Sequence, residues 1–188
     1  IGPIHVKSSG ISGKIVSKFD DQGRFKQAID FGVFGQINVV INNATGSTYG
    51  INPYTELHGK YLKQAQRESP AVWFDLMAHY DSVKVQGSSE LNGESVYQLL
   101  LKEKGLPAVT AFLDSKTGDV LKVKSKILVP SMGSIGVETT YADYKDVYGL
   151  RLPHKVTVNN PMMGETVVNL TEVKAKQKFT KETFDTQQ

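Results

Sequence analysis

The stretch that decides the fold is residues 137–158, VETTYADYKDVYGLRLPHKVTV, which predicts two β-strands joined by a tight turn. Gly149 supplies the turn, because glycine adopts a positive φ without steric cost. Pro153 fixes its own φ and keeps Leu152 extended, and the period-two alternation of a strand resumes at Val156. The stretch therefore predicts an antiparallel hairpin.

Most of the remaining chain also alternates apolar and polar residues in short runs. Turn sequences separate these runs, such as Asp20-Asp21-Gln22-Gly23 and Asp114-Ser115-Lys116-Thr117-Gly118. Short strands joined by short turns are typical of an antiparallel meander, and we count about ten strands in this way.

Residues 54–80 have a different pattern, which predicts two helices. Apolar residues of the first recur at helical spacing: Leu57, Tyr61, Leu62 and Ala65. Ser69-Pro70 predicts the start of the second, with serine at the N-cap and proline at the first helical position. The apolar residues of the second are Val72, Trp73, Leu76, Met77 and Tyr80. Trp73 and Met77, four residues apart, are expected to share one face.

Residues 95–103 predict a strand that is apolar on both faces, so both faces need a cover. Two explanations remain open. The helices complete an ordinary core, or they enclose a cavity that holds an acyl chain or another apolar ligand. The residues predicted to line such a cavity are Leu57, Tyr61, Leu62, Trp73, Leu76, Met77, Leu99, Leu101 and Tyr141.

Composition restricts the possible functions. The chain has 188 residues, 39% hydrophobic and 22% charged, which fits one domain over residues 1–188. The net charge is +3, and its basic residues are spread out, which argues against a nucleic-acid partner. Lys122, Lys124 and Lys126 alternate with other residues and predict the wet face of one strand. The chain lacks cysteine, and no apolar run approaches the roughly 20 residues of a membrane-spanning helix. Because the chain begins at Ile1, we expect a mature form or an excised domain.

Catalytic and metal-binding patterns are missing from the sequence. No serine lies in a nucleophile-elbow pattern, and the histidines have no metal-ligand spacing. His58, His79 and Glu56 would converge only if the two helices paired, and the alternative is that they are exposed helix residues. We therefore predict a non-enzymatic protein without catalytic residues, metal or cofactor.

Several motifs together resemble the bacterial LolA/LolB-like superfamily of lipoprotein-sorting proteins. They are Leu91-Asn92-Gly93-Glu94-Ser95-Val96-Tyr97, the hairpin from Phe112-Leu113-Asp114 to Thr117-Gly118-Asp119-Val120-Leu121, the stretch 137–158, and the ending Lys178-Phe179-Thr180-Lys181-Glu182-Thr183-Phe184. The resemblance covers roughly residues 45–185. It implies an α+β fold, a strongly curved antiparallel half-barrel of about ten strands with two helices (about 55–80) on its concave face. It also implies a periplasmic or other extracytoplasmic protein that binds lipid or lipoprotein acyl chains in an apolar cavity.

The chain departs from the carriers of this superfamily in two ways. It begins directly in a predicted strand instead of an amphipathic helix, and Phe31-Gly32-Val33-Phe34-Gly35 replaces the arginine-proline pair whose arginine holds the lid shut. Similar domains also occur attached to larger exported proteins, including some insulinase-like zinc peptidases. The alternative function is therefore an accessory or interaction domain of a larger cell-envelope protein, with that protein as its partner and no small ligand.

Overall fold

In a computed structural model, which describes residues 1–186, the strands form one antiparallel sheet of thirteen. The strands are β1 (Gly2–Val6), β2 (Ile11–Phe19), β3 (Phe25–Asp30), β4 (Gln36–Asn42), β5 (Thr45–Gly50), β6 (Thr55–Glu56), β7 (Ser82–Leu91), β8 (Glu94–Lys102), β9 (Val109–Asp114), β10 (Val120–Val129), β11 (Gly133–Val147), β12 (Leu150–Asn160) and β13 (Gly164–Asn169). The prediction of an antiparallel meander is confirmed, with more strands than the expected ten.

The sheet consists of two meanders that meet in its middle. Its order is β6-β5-β4-β3-β2-β1-β13-β12-β11-β10-β9-β8-β7, so the pairing of β1 with β13 joins the halves. The two edge strands, β6 and β7, are consecutive in sequence. The segment between them, residues 57–81, must therefore connect one edge of the sheet to the other. We call this segment the insert.

The insert contains helix α1 (Gly59–Gln66), a 3₁₀ segment (Pro70–Phe74) and helix α2 (Leu76–His79). Ser69 caps the 3₁₀ segment by accepting a hydrogen bond from the Ala71 N–H at 3.3 Å, as predicted. The second predicted helix is divided, because Asp75 leaves helical geometry at φ −149° and instead caps α2 through the Ala78 N–H.

The predicted placement of two helices on the concave face is wrong. Helix α1 contacts β4 in one half of the sheet and β10 in the other, and the four-residue α2 contacts edge strand β7. Seven strand spacings separate β4 from β10, about 34 Å in a flat sheet, whereas an eight-residue helix is about 12 Å long. The sheet is therefore strongly curved, and α1 connects its two halves.

The hairpin predicted from residues 137–158 is confirmed. Strands β11 and β12 pair down to Val147 opposite Leu150, which leaves a two-residue turn. Its residues, Tyr148 and Gly149, have φ values of 54° and 83°. Positive φ at both positions is the geometry whose twist matches that of paired strands.

Candidate functional site

Most of the buried apolar residues of the sheet lie on one face, which we call the apolar face, whereas Val40 and Val96 alternate onto the other. The pairing register places the residues of the apolar face directly opposite one another on neighbouring strands. Leu99 lies opposite Ala111 and Ala111 opposite Val123, on β8, β9 and β10. Further along the sheet, Tyr141 lies opposite Val156, Val156 opposite Val168, and Val168 opposite Ile4. Three buried clusters form on this face, around Leu101, Ile4 and Phe25, and together they extend from β8 to β4.

The first cluster brings together five of the nine residues predicted to line a ligand cavity. Those five are Trp73, Leu76, Leu99, Leu101 and Tyr141. Val72 and Tyr80 of the insert are buried here against Leu101. The Trp73 ring meets the Tyr141 ring edge to face, with centroids 6.4 Å apart. The insert therefore packs its aromatic side chains onto the sheet here.

Two more predicted residues, Leu57 and Leu62, lie in a different cluster, with Phe25, Ile41 and Ala65. Helix α1 comes very close to the sheet at this point. A Cβ built on Gly46 of β5 would lie 2.7 Å from Leu62 Cδ1, so the absence of a side chain there permits the contact. Seven of the nine predicted lining residues are thus divided between two clusters.

The last two predicted residues belong to neither cluster. The Met77 side chain is 73% exposed, because the break at Asp75 places Met77 and Trp73 on different helical segments. The aspartate followed by Leu76-Met77-Ala78 is an N-cap signal in the sequence that marks this restart. Tyr61 is half-buried, and the Lys60 ammonium lies 5.3 Å from the centre of its ring.

A polar network that the sequence did not predict fixes the C-terminal end of α1. Arg67 donates from Nε to Glu103 Oε2 at 2.9 Å and from Nη1 to the Pro107 carbonyl at 3.0 Å. Its guanidinium lies 5.1 Å from the centre of the Tyr80 ring, and Lys63 Nζ is 3.1 Å from Glu103 Oε1. The side chains of Arg67 and Glu103 are only 12% and 14% exposed. We call these contacts the Arg67 latch.

A second contact attaches α1 to β10. The Gln64 side-chain amide accepts from the Leu128 N–H at 2.6 Å and donates to the Leu128 carbonyl at 3.3 Å. The pairing of β9 with β10 ends at Lys124, so β9 leaves the Leu128 backbone without a strand partner on that side. Gln64 replaces the missing strand there. No local pattern identifies either Gln64 or Arg67, because their partners are distant in sequence.

Burial raises the pKa of both tyrosines in the first cluster. Burial raises the pKa of Tyr141 to about 12, with a smaller contribution from the nearby Tyr80. Burial also raises the pKa of Tyr80, an effect that the Arg67 charge opposes. Both hydroxyls are protonated at neutral pH, so these tyrosines add no charge to the surface beneath the insert.

Open space occurs on other parts of the molecule. One depression of about 320 Å³ is lined by residues of β1, β12 and β13, including His5 and Lys155. Another, of about 610 Å³, lies beside Gly136 and Pro161. None of the nine predicted lining residues borders either depression.

The suggested histidine site does not form. His58 Nε2 lies 3.3 Å from Glu56 Oε2, and both side chains are exposed. Within residues 1–186, no group of three or more histidine, aspartate or glutamate side chains could hold a metal ion. In the same part of the chain, no helix combines the length and the apolar character needed to cross a membrane.

Comparison with known proteins gives matches in fold but not in sequence. No protein-family model matches the chain, and neither does any curated protein sequence. A DUF1329 family protein from Desulfovibrio piger is similar over 98% of this chain and 86% of its own, with a TM-score of 0.65 at 13% identity. A putative outer membrane lipoprotein-sorting protein domain from Vibrio parahaemolyticus has the same coverage, with a TM-score of 0.62 at 15% identity.

A LolA superfamily protein from Nitrosomonas europaea is also similar, over 98% of this chain and 88% of its own. The TM-score is 0.54 at 11% identity. At sequence identities this low, structural similarity shows a shared fold and nothing more. The resemblance predicted from the sequence motifs is confirmed at that level, and this chain has a LolA-like fold.

Proposed function

We propose that this chain binds lipid or lipoprotein acyl chains outside the cytoplasm, without catalysing a reaction, on the apolar face beneath the insert. The observation that carries this proposal is the continuity of that face. Three buried clusters follow one another across it, and the insert covers two of them with short helical pieces. An extended apolar surface under a small cover suits a flexible hydrocarbon chain.

In this closed arrangement, side chains fill the space under the insert. Leu101 and Ala111 are fully buried, and Val72 is almost so. An acyl chain would therefore enter only after the insert moves. Its breaks at Ser69-Pro70 and at Asp75 are natural hinge points, and the Arg67 latch is the polar contact that would have to open.

The same dense packing supports the second candidate function, an accessory domain of a larger cell-envelope protein with no small ligand. A core packed to ordinary density has no need of a ligand. The two functions differ in what the insert does, since a carrier opens it and an accessory domain keeps it closed.

Trp73, the only tryptophan in the chain, reports directly on this difference. We would titrate the protein with a fatty acid and with a lipopeptide while recording tryptophan emission, and analyse organic extracts of the purified protein by mass spectrometry. For a carrier we expect a saturable change in emission and an extracted lipid.

Two leucine variants locate the binding site. Leu99→Ala removes a buried side chain from the first cluster, and Leu150→Ala removes one that is 46% exposed. Leu99→Ala should weaken the apparent affinity for the lipid roughly fivefold or more, which corresponds to the loss of about 1 kcal/mol of apolar contact. Leu150→Ala should leave it unchanged. An emission that no apolar ligand alters, even in a variant lacking the Arg67 latch, would favour the accessory domain.

A further inference from the structure

The face of the sheet opposite the apolar face carries a group of lysines. Val6, Val123 and Val156 belong to or pack against the apolar clusters, so their neighbours in each strand point the other way. The lysines on this opposite face are Lys122, Lys124 and Lys126 of β10, Lys155 of β12, and Lys7, which directly follows β1. We call this surface, which spans β1, β13, β12, β11 and β10, the basic face.

Two carboxylates on the same face neutralise only two of these lysines. Glu165 pairs with Lys7, and Glu138 pairs with Lys122 at 2.6 Å. Within residues 1–186, Lys124, Lys126 and Lys155 make no ion pair, and all three are exposed. The basic face therefore carries three uncompensated positive charges, the same number as the net charge of the whole chain.

The charges are distributed over an area that has two open depressions. Lys124 borders the depression beside Gly136, and Lys7 and Lys155 border the one beside His5. Four strand spacings separate β1 from β10, about 19 Å measured along the curved sheet. Between them lie the small polar residues Thr140 and Thr157 and the shallow depression beside His5. At the far end of the β11–β12 hairpin, Arg151 is already paired with Asp119 and Asp146. A broad basic surface whose depressions are open matches a partner that is itself broad and anionic.

We propose that the basic face docks on an anionic phospholipid surface. The attraction between anionic headgroups and lysines depends on how many lysines lie near the bilayer surface and not on their exact positions. The dispersed lysines of the basic face meet this requirement. The docking does not depend on the proposed acyl-chain binding. It involves the opposite face of the sheet and needs no movement of the insert, so either proposal can fail alone.

Sedimentation of the intact protein with vesicles tests this docking. The probe vesicles contain phosphatidylglycerol mixed with phosphatidylcholine, and the reference vesicles contain phosphatidylcholine alone. At low salt we expect binding to the anionic vesicles only, weakening as salt is added. At about fivefold per lysine, three uncompensated lysines should raise the partition coefficient roughly a hundredfold.

A pair of triple variants separates the basic face from net charge. Lys124→Gln/Lys126→Gln/Lys155→Gln should lose most of this binding. Lys60→Gln/Lys104→Gln/Lys116→Gln removes the same charge from exposed lysines of the insert, the β8–β9 loop and the β9–β10 turn, and should retain it. Equal losses in both triples would overturn the proposal. So would failure of the unaltered protein to bind anionic vesicles, or equal binding to double-stranded DNA.

Discussion

Replacing Arg67 with methionine should loosen the attachment of α1 to the second half of the sheet. Methionine keeps most of the aliphatic stem of arginine and removes its charge and its donors. Arg67 and Glu103 are both nearly buried, so solvent screens their interaction far less than that of a surface ion pair. Because Arg67 and Glu103 are distant in sequence, their contact depends on the tertiary structure and not on local sequence.

The expected loss of stability in Arg67→Met is the sum of the contacts that this substitution removes. The charge-assisted hydrogen bond to Glu103 contributes about 2 kcal/mol and the bond to the Pro107 carbonyl about 1 kcal/mol. The contact with the Tyr80 ring adds roughly 0.5–1 kcal/mol. Arg67 Nη2 is buried without a partner, and removing it recovers about 1–2 kcal/mol. Because Lys63 still neutralises Glu103, we expect a net loss of about 2 kcal/mol in the free energy of unfolding.

Urea unfolding followed by Trp73 emission measures this loss. The matched control is Lys174→Met, which removes a cation that is 57% exposed from an ion pair with Glu172, itself 48% exposed, and it should cost at most about 1 kcal/mol. A double-mutant cycle with Glu103→Gln should give a coupling energy of at least about 1 kcal/mol. Hydrogen exchange of the α1 amides should accelerate in Arg67→Met alone. Equal losses in the two methionine variants would refute the latch.

Three further predictions concern packing, the hairpin turn and pH. Gly46→Ala should lower the free energy of unfolding by about 1–3 kcal/mol in urea, because its methyl group would lie 2.7 Å from Leu62 Cδ1, whereas Gly136→Ala, with open space around it, should be close to neutral. Tyr148→Asn should raise the midpoint of thermal unfolding by a few degrees, about 0.5–1 kcal/mol, because asparagine tolerates the φ of 54° better than tyrosine does, and an unchanged midpoint would count against strain at this turn. The pKa of Tyr141 is raised to about 12, so its contribution to stability is complete below about pH 10 and is lost as the pH rises from about 10 to 12. Alkaline unfolding should accordingly begin at higher pH in Tyr141→Phe, with absorbance of ionised tyrosine as the readout.

Local chemistry in the sequence determined the elements of this fold. The β11–β12 hairpin follows from alternation on both sides of Gly149, and the Ser69 cap follows from a serine placed before a proline. Both depend on residues close together in the chain, where φ preferences and side-chain periodicity act directly. The same is true of the apolar character of Leu99, Leu101 and Tyr141, which the structure brings together in one cluster.

The tertiary structure alone decided where the insert lies and what holds it. Periodicity states which side of a helix is apolar but not which surface it meets, so α1 was expected on one face and instead connects β4 with β10. Its anchors, Arg67 and Gln64, contact Glu103 and Leu128, residues that only the curvature of the sheet brings near. Strand order decided the rest, because the pairing of β1 with β13 makes β6 and β7 opposite edges that the insert has to connect. Such pairings depend on contacts between distant residues, and these contacts leave no periodic signal in either partner.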